Sequence, residues 1–284
     1  MRLEGTSVGE LWEDLLHHLY HDGRPVSPRN MGCREIIGVT LHLTDARNNI
    51  FAHPQRRLAY KFMIAEWLWI WFGHDDVATI SRYNPNIAQF SDDNVTFFGA
   101  YGPRVIAQWP FILETLRKDR DSRQAALVIF RPNPPRSRDV PCTLTAQYLV
   151  RDGRVHSIYA MRSSDVWLGL EYDCFTFTMM QNILAAQLGV GVGSFTIHLG
   201  SSHLYDRDRE LALGVLNAAS DAREDLRSPA LVEPPPVRLN GVLASRQNIW
   251  SPIDEPWLTY ASVLLAETNA KALDLLRQLS SMEV

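Results

Sequence analysis

The stretch "DVPCT" (residues 139–143) sets one cysteine, Cys142, between a proline and a run of alternating residues. A thiolate here could add to an electron-poor carbon, provided that neighbouring positive charge or a base favours the anion. The competing reading is a buried cysteine that packs as a small hydrophobe. Glu66 lies inside "MIAEWLWIW", where water cannot solvate a carboxylate cheaply. It must find partners or keep its proton to a higher pH, which suits either a buried hydrogen-bonded anchor or a general acid and base. The segment "RSSDVWLGLEYD" (residues 162–173) gathers an arginine fork, two hydroxyls and carboxylates around an apolar centre. Arginine beside serine suits a phosphate, and the "VWLGL" core makes a structured pocket wall a better reading than a solvated turn.

Two other patterns carry less. The glycines of "LGVGVGS" follow a predicted helix and open no second one, so they read as turn glycines and not as a dinucleotide loop. The nine histidines show no HExxH or comparable ligand spacing, and no metal site is expected.

Such residues need rigid elements to hold them. Residues 11–20 predict an opening helix, and "EIIGVTLHLTD" alternates like a strand wet on one face. An apolar helix is predicted over 58–72, stopped near Gly73, then a loop through "RYNPNIAQFSDDN" to "FFGAYGPR", then a helix over 109–118. Strands follow at "AALVIF", "CTLTAQYLV" and "VHSIYAMRSS", the last two joined by the hairpin turn "RDGR". "FTFTMMQNILAAQLG" reads as a buried helix, "SFTIHLGSSHLY" as a strand, "PALVEPPP" as a loop, and "LTYASVLLAETNAKALDLLRQL" as a helical tail. The pattern predicts one α/β (α+β) domain over 1–284, a mixed sheet flanked by helices, with the tail at about 231–284.

Composition removes several function classes. The chain has 284 residues, 46% hydrophobic and 21% charged, enough for one large core. A net charge of −4 gives no field that would draw it to nucleic acid or an anionic membrane. Three cysteines without a CxxC argue against a disulfide framework or a zinc site, and for a reducing cytoplasm. The N-terminus is amphipathic and acidic, unlike a signal peptide, and no apolar run approaches the roughly 18 residues of a membrane span.

Taken in order, "PCT", "RSSDVWLGLEYD" and "HLGSSHLY" resemble the thymidylate synthase family, including its nucleotide C5 hydroxymethylases. "AEWLWIWFG" and "FFGAYG" precede them in the family's order, and the likeness runs from Arg29 to Tyr205. The resemblance implies a sheet-packed homodimer acting on a pyrimidine nucleoside monophosphate, with 5,10-methylenetetrahydrofolate as one-carbon donor. It casts Cys142 as the nucleophile at C6 of the pyrimidine, its pKa depressed by nearby cations. Arg162 and Ser163 resemble phosphate ligands, as does Arg29 with a looser flanking match. Arg123 in "DSRQ" resembles the arginine lent by the partner, with Gln124 in place of the second arginine often found there. His203 and Tyr205 resemble the pair that holds the sugar hydroxyl, and Asp165 the aspartate at the folate's pterin. Glu66 resembles the acid that orders water at the base, and Tyr101 the tyrosine that helps remove the C5 proton.

One departure bears on the substrate. Asp173 stands where thymidylate synthases carry asparagine. A protonated aspartic acid can donate to N3 of cytosine and accept from its 4-amino group, the reverse of what uracil requires. Thr143 replaces the usual histidine after the cysteine, Met161 a common glutamine, and the family's C-terminal lid motif is not recognisable in "SSMEV". These departures are compatible with a wetter site. The expectation is cytidylate 5-hydroxymethylation, with water capturing the exocyclic methylene and dCMP placed ahead of CMP. Methylation of dUMP is the enzymatic alternative, and an idle nucleotide- or RNA-binding regulator is the non-enzymatic one.

Overall fold

The computed structural model describes residues 1–219, 221–245 and 253–282. The chain opens with strand β1 (Arg2–Gly5), helix α1 (Val8–Asp22), and strands β2 (Arg24–Val26), β3 (Cys33–Leu43) and β4 (Ile50–Ala52). Helices α2 (Tyr60–Trp71), α3 (Val77–Ile80) and α4 (Gly102–Lys118) follow, then strands β5 (Ala126–Val128), β6 (Thr143–Arg151) and β7 (Arg154–Asp165). Helix α5 (Leu170–Leu188), strand β8 (Gly191–Tyr205), helix α6 (Arg209–Leu216) and strand β9 (Glu224–Leu226) lead to helices α7 (Val237–Ser245), α8 (Trp257–Leu265) and α9 (Asn269–Ser280).

The mixed sheet runs β1-β3-β8-β7-β6-β5, with β2 also paired to β3; β4 and β9 form a separate pair. β8 lies antiparallel to β3 and parallel to β7, while β6 is antiparallel to β7. Apolar residues at alternate positions of β3, β6, β7 and β8 turn to one side, where α1 and α5 cover them. Trp12 of α1 joins that core to the site, stacking near Phe51 and Trp167 and donating Nε1–H to the Val166 carbonyl at 2.6 Å. α2 packs on α5, so the helix carrying Glu66 lies over the helix carrying Asp173.

A kink crosses the sheet at the level of Cys142. Burial follows odd positions up to Met161 and Leu199, then even positions from Ser164 and Ser202. In β3 the same level is Gly38, at φ +70°, a left-handed angle that glycine adopts without strain. In β6 the register slips between Thr143 and Thr145. The kink leaves Ser163, Asp165, Ser201 and His203 half-buried while the strands behind them stay fully packed.

Several local expectations change. Residues 2–5 form a strand, and Ser7 then caps α1 by accepting from the Glu10 amide, so the helix starts before residue 11. Cys142 lies just ahead of β6 and not within it. The "LGVGVGS" glycines are not all turn residues: Gly189 caps α5 in the left-handed region, but Gly191 and Gly193 belong to β8. A Cβ on Gly193 would stand 2.6 Å from the His156 ring, which is why that strand position lacks one. The loop predicted after residue 73 contains α3 and a short 3-10 turn at Pro85–Phe90. The helix predicted from 109 begins at Gly102. The tail is two helices, parted where Thr268 accepts from the Lys271 amide and starts α9. α7 adds a helix that the proline-rich stretch conceals.

Candidate active site

Cys142 is half-buried, and its mount is built from its neighbours. The Arg162 amide donates to the Cys142 carbonyl at 2.8 Å. Its side chain donates Nε–H to the Pro141 carbonyl at 2.9 Å and Nη2–H to the Val140 carbonyl at 2.8 Å. The arginine expected at a phosphate therefore also locks the cysteine turn, and its Nη1 has no partner among the described residues. On the other side, the fully buried Thr143 donates from its amide at 3.3 Å and from Oγ1 at 3.1 Å to the Tyr101 phenol oxygen. That phenol accepts twice from protein, so its own proton points to a third partner. Tyr101 stands at the start of α4, its ring stacked on Phe177.

The charges around the thiol give one sign that the sequence reading did not expect. Burial pushes the Cys142 thiol up; Arg162 and Arg29 work against it, while Asp173 and Asp139 add to it. Cations are present, as the resemblance implied, but in this chain desolvation outweighs them. Burial likewise raises Tyr101, with Asp173 and Cys142 contributing.

Glu66 on α2 lies near enough to Asp173 on α5 that its charge acts on that carboxyl. Burial raises Glu66 to about 7. Asp173 is pushed well above the carboxylate range by burial, then by the charges of Glu66 and Glu171. No group among the described residues hydrogen-bonds either carboxyl. Burial therefore favours the protonated form of Asp173, and Glu66 is poised near neutral pH to give up or take a proton.

A second carboxylate system was not anticipated from the sequence. Glu171 is 1% exposed and accepts from Arg56 Nε at 2.9 Å. The Arg56 guanidinium lies 4.8 Å over the Trp167 ring and also donates to the Trp167 carbonyl. The pair ties the loop before α2 to the first turn of α5, which fixes Asp173 two residues further on. Burial raises Glu171 to about 7, and its Oε2 is buried with no partner among the described residues. The legible signal was an arginine just ahead of an apolar helix and a glutamate inside an apolar segment, a combination that calls for pairing.

Beyond the kink, three strands set Glu35, His203 and Asp165 in one cross-strand row. His203 is pulled below its ordinary pKa by burial, while Asp165 and Glu35 act the other way. Tyr205 meets the His203 ring edge-on at 5.0 Å. Asp165 Oδ1 accepts from the Trp167 and Leu168 amides at 2.9 and 3.0 Å, which shapes the turn into α5; Oδ2 has no partner among the described residues. Ser163 lies in register with Ser201, one row nearer the cysteine. Arg29 is exposed and left-handed, φ 53°, and its charge acts on both Cys142 and His203.

Arg123 is not brought to this group. It is exposed in the loop between α4 and β5, where its carbonyl accepts from Gln147 Nε2. Gln147 is five residues along β6 from Cys142, a span of about 16 Å of strand. Among the described residues no group of three or more His, Cys, Asp or Glu side chains is arranged to hold a metal ion, and no helix is long and apolar enough to cross a membrane.

Comparison with known proteins agrees with this geometry. The chain is 29% identical over 221 residues to a deoxyuridylate hydroxymethyltransferase of Bacillus phage SP01, covering 71% of this chain and 58% of the phage protein. It is 27% identical over 194 residues to a deoxyuridylate hydroxymethyltransferase of Delftia phage PhiW-14, covering 62% and 54%. The chain thus matches little more than half the length of these relatives. The sequence model of the thymidylate synthase family matches residues 10–231, a span that holds every residue of the cluster above, and the chain belongs to that family.

Proposed function

We propose that this protein transfers a one-carbon unit to C5 of a cytidine nucleotide, CMP or dCMP, and leaves it as a hydroxymethyl group. The observation that carries the choice of base is Asp173, a carboxyl standing where the resemblance expects asparagine, beside Glu66 and Cys142, with its protonated form favoured by burial. An acid in that state can donate to cytosine N3 and accept from its 4-amino group with the second oxygen. Uracil presents the reverse edge, a donor at N3 and an acceptor at O4.

In this reading the Cys142 thiolate adds to C6 and makes C5 nucleophilic. Methylenetetrahydrofolate supplies the one-carbon unit that C5 takes up. The residues present fit that group: Asp165 Oδ2 is free for its polar edge, and Leu168, 50% exposed, offers apolar surface beside it. Tyr101 stands next to the thiol, placed to assist removal of the C5 proton, and Glu66 exchanges protons with water near pH 7. Arg162, Arg29 and Ser163 receive the phosphate, and His203 and Tyr205 the sugar. Water, and not a hydride, then closes the exocyclic methylene. Arg123, distant within one chain, completes the phosphate site from a second copy of a sheet-packed homodimer. A cytoplasmic setting suits a free, reactive Cys142.

A second reading, hydroxymethylation of deoxyuridylate, is favoured by the names of the phage relatives. Asp173→Asn separates the two. The substitution is expected to lower the cytidylate-to-uridylate ratio of kcat/KM by roughly 100-fold or more, because the amide now donates where cytosine donates. An unchanged ratio would contradict the base-reading role.

A further inference from the structure

The mechanism above leaves one half-buried carboxylate of the site unused. Glu35, on β3, is the direct cross-strand neighbour of His203. Ser201, two residues before His203 on β8, donates its hydroxyl to Glu35 Oε1 at 2.6 Å. Oε2 has no partner among the described residues. Glu35 is near enough that its charge acts on the His203 ring, as does that of Asp165 from the other flanking strand. The row Glu35–His203–Asp165 therefore spans three adjacent strands, about 5 Å apart.

We infer that Glu35 is the specificity residue for the sugar: its free oxygen accepts the 2′-hydroxyl of a ribonucleotide while His203 and Tyr205 hold the 3′-hydroxyl. A carboxylate is acceptor-only, so it matches a hydroxyl donor and gains a charge-assisted bond. The Ser201 bond fixes one oxygen and orients the other, which lowers the ordering cost of capture. A deoxyribose offers that oxygen no donor. An aspartate or glutamate accepts from the ribose 2′-hydroxyl in the dinucleotide sites of an unrelated fold for the same reason. The order of sugars expected from the sequence, dCMP ahead of CMP, is thereby reversed.

This rests on the reading of the cluster as a nucleotide site, but not on which base it takes. The test measures kcat/KM for CMP, dCMP, UMP and dUMP, and Kd for each by calorimetry, in wild type, Glu35→Gln and Glu35→Ser. The wild type is expected to favour the ribonucleotide of its preferred base by roughly 10- to 100-fold, the scale of one hydrogen bond to a charged group. In both variants the ribonucleotide loses far more than the deoxyribonucleotide, and the ratio falls towards one. Glu35→Gln keeps the size and an acceptor for Ser201, so a loss confined to Glu35→Ser would mark a packing role and overturn the inference. A wild-type preference for deoxyribose, an equal loss on both sugars, or no binding of any of the four would overturn it as well. Turnover of UMP over dUMP, without cytidylate, would sink the base reading and leave the sugar inference standing.

Discussion

Glu66 and Asp173 pose one physical problem, two neighbouring carboxyls whose charged forms burial disfavours. For Glu66 the consequence can be followed with its sign. An unfolded glutamate releases its proton near pH 4.5, whereas the folded one holds it to about 7. Below pH 4.5 both states are protonated and the folded chain bears no cost. Between 4.5 and 7 only the unfolded chain ionises, so stability falls as pH rises, and the full cost is present above 7. Glu66→Gln is therefore expected to be more stable than wild type at pH 8 by about 1–3 kcal/mol, and equal to it near pH 4, in urea unfolding at the two values. The same variant should lose turnover, since the amide cannot exchange a proton. Destabilisation at pH 8 would mean that the carboxylate is held by partners. The sequence exposed Glu66, Cys142 and the Arg162–Asp173 segment because each breaks the local pattern. Glu35 was not legible, since its meaning lies in cross-strand register, and that Arg56 pairs with Glu171, 115 residues away, comes only from the fold.

At the scale of elements, the strands were readable from alternation and the long helices from apolar runs, because both periods persist over many residues. β1, β2 and α7 were not, being short segments whose form comes from pairing and packing, not propensity. The kink was hidden for a similar reason: Gly38 signals freedom in one strand, but only the stacked strands show a shared bend. The tail helices take their place by packing on α2. Trp257, 1% exposed, stacks at 6.2 Å on Trp67, with Tyr260 edge-on at 5.2 Å from the same ring. Lys61 Nζ donates to the Ala266 carbonyl and Asn269 Nδ2 to that of Leu58, which pins the start of α2. Trp257→Ala is expected to cost about 3–5 kcal/mol in chemical denaturation. A cost below 1 kcal/mol would show that the tail does not buttress the helix of Glu66.

For the whole molecule, the account requires two copies, because Arg123 lies far from Cys142 within one chain. Mixing inactive Cys142→Ser with weakened Arg123→Ala tests this. A mixed dimer holds one site with an intact cysteine facing an intact arginine, so random re-pairing should restore about a quarter of wild-type activity. No recovery above the sum of the parents would place Arg123 outside the site. The chemistry itself is tested most directly by mass analysis of the products from CMP, dCMP, UMP and dUMP, each with methylenetetrahydrofolate, while dihydrofolate is followed by absorbance. The account predicts a cytidylate that gains one CH2O unit, with no dihydrofolate formed. A methylated uridylate with stoichiometric dihydrofolate would contradict it.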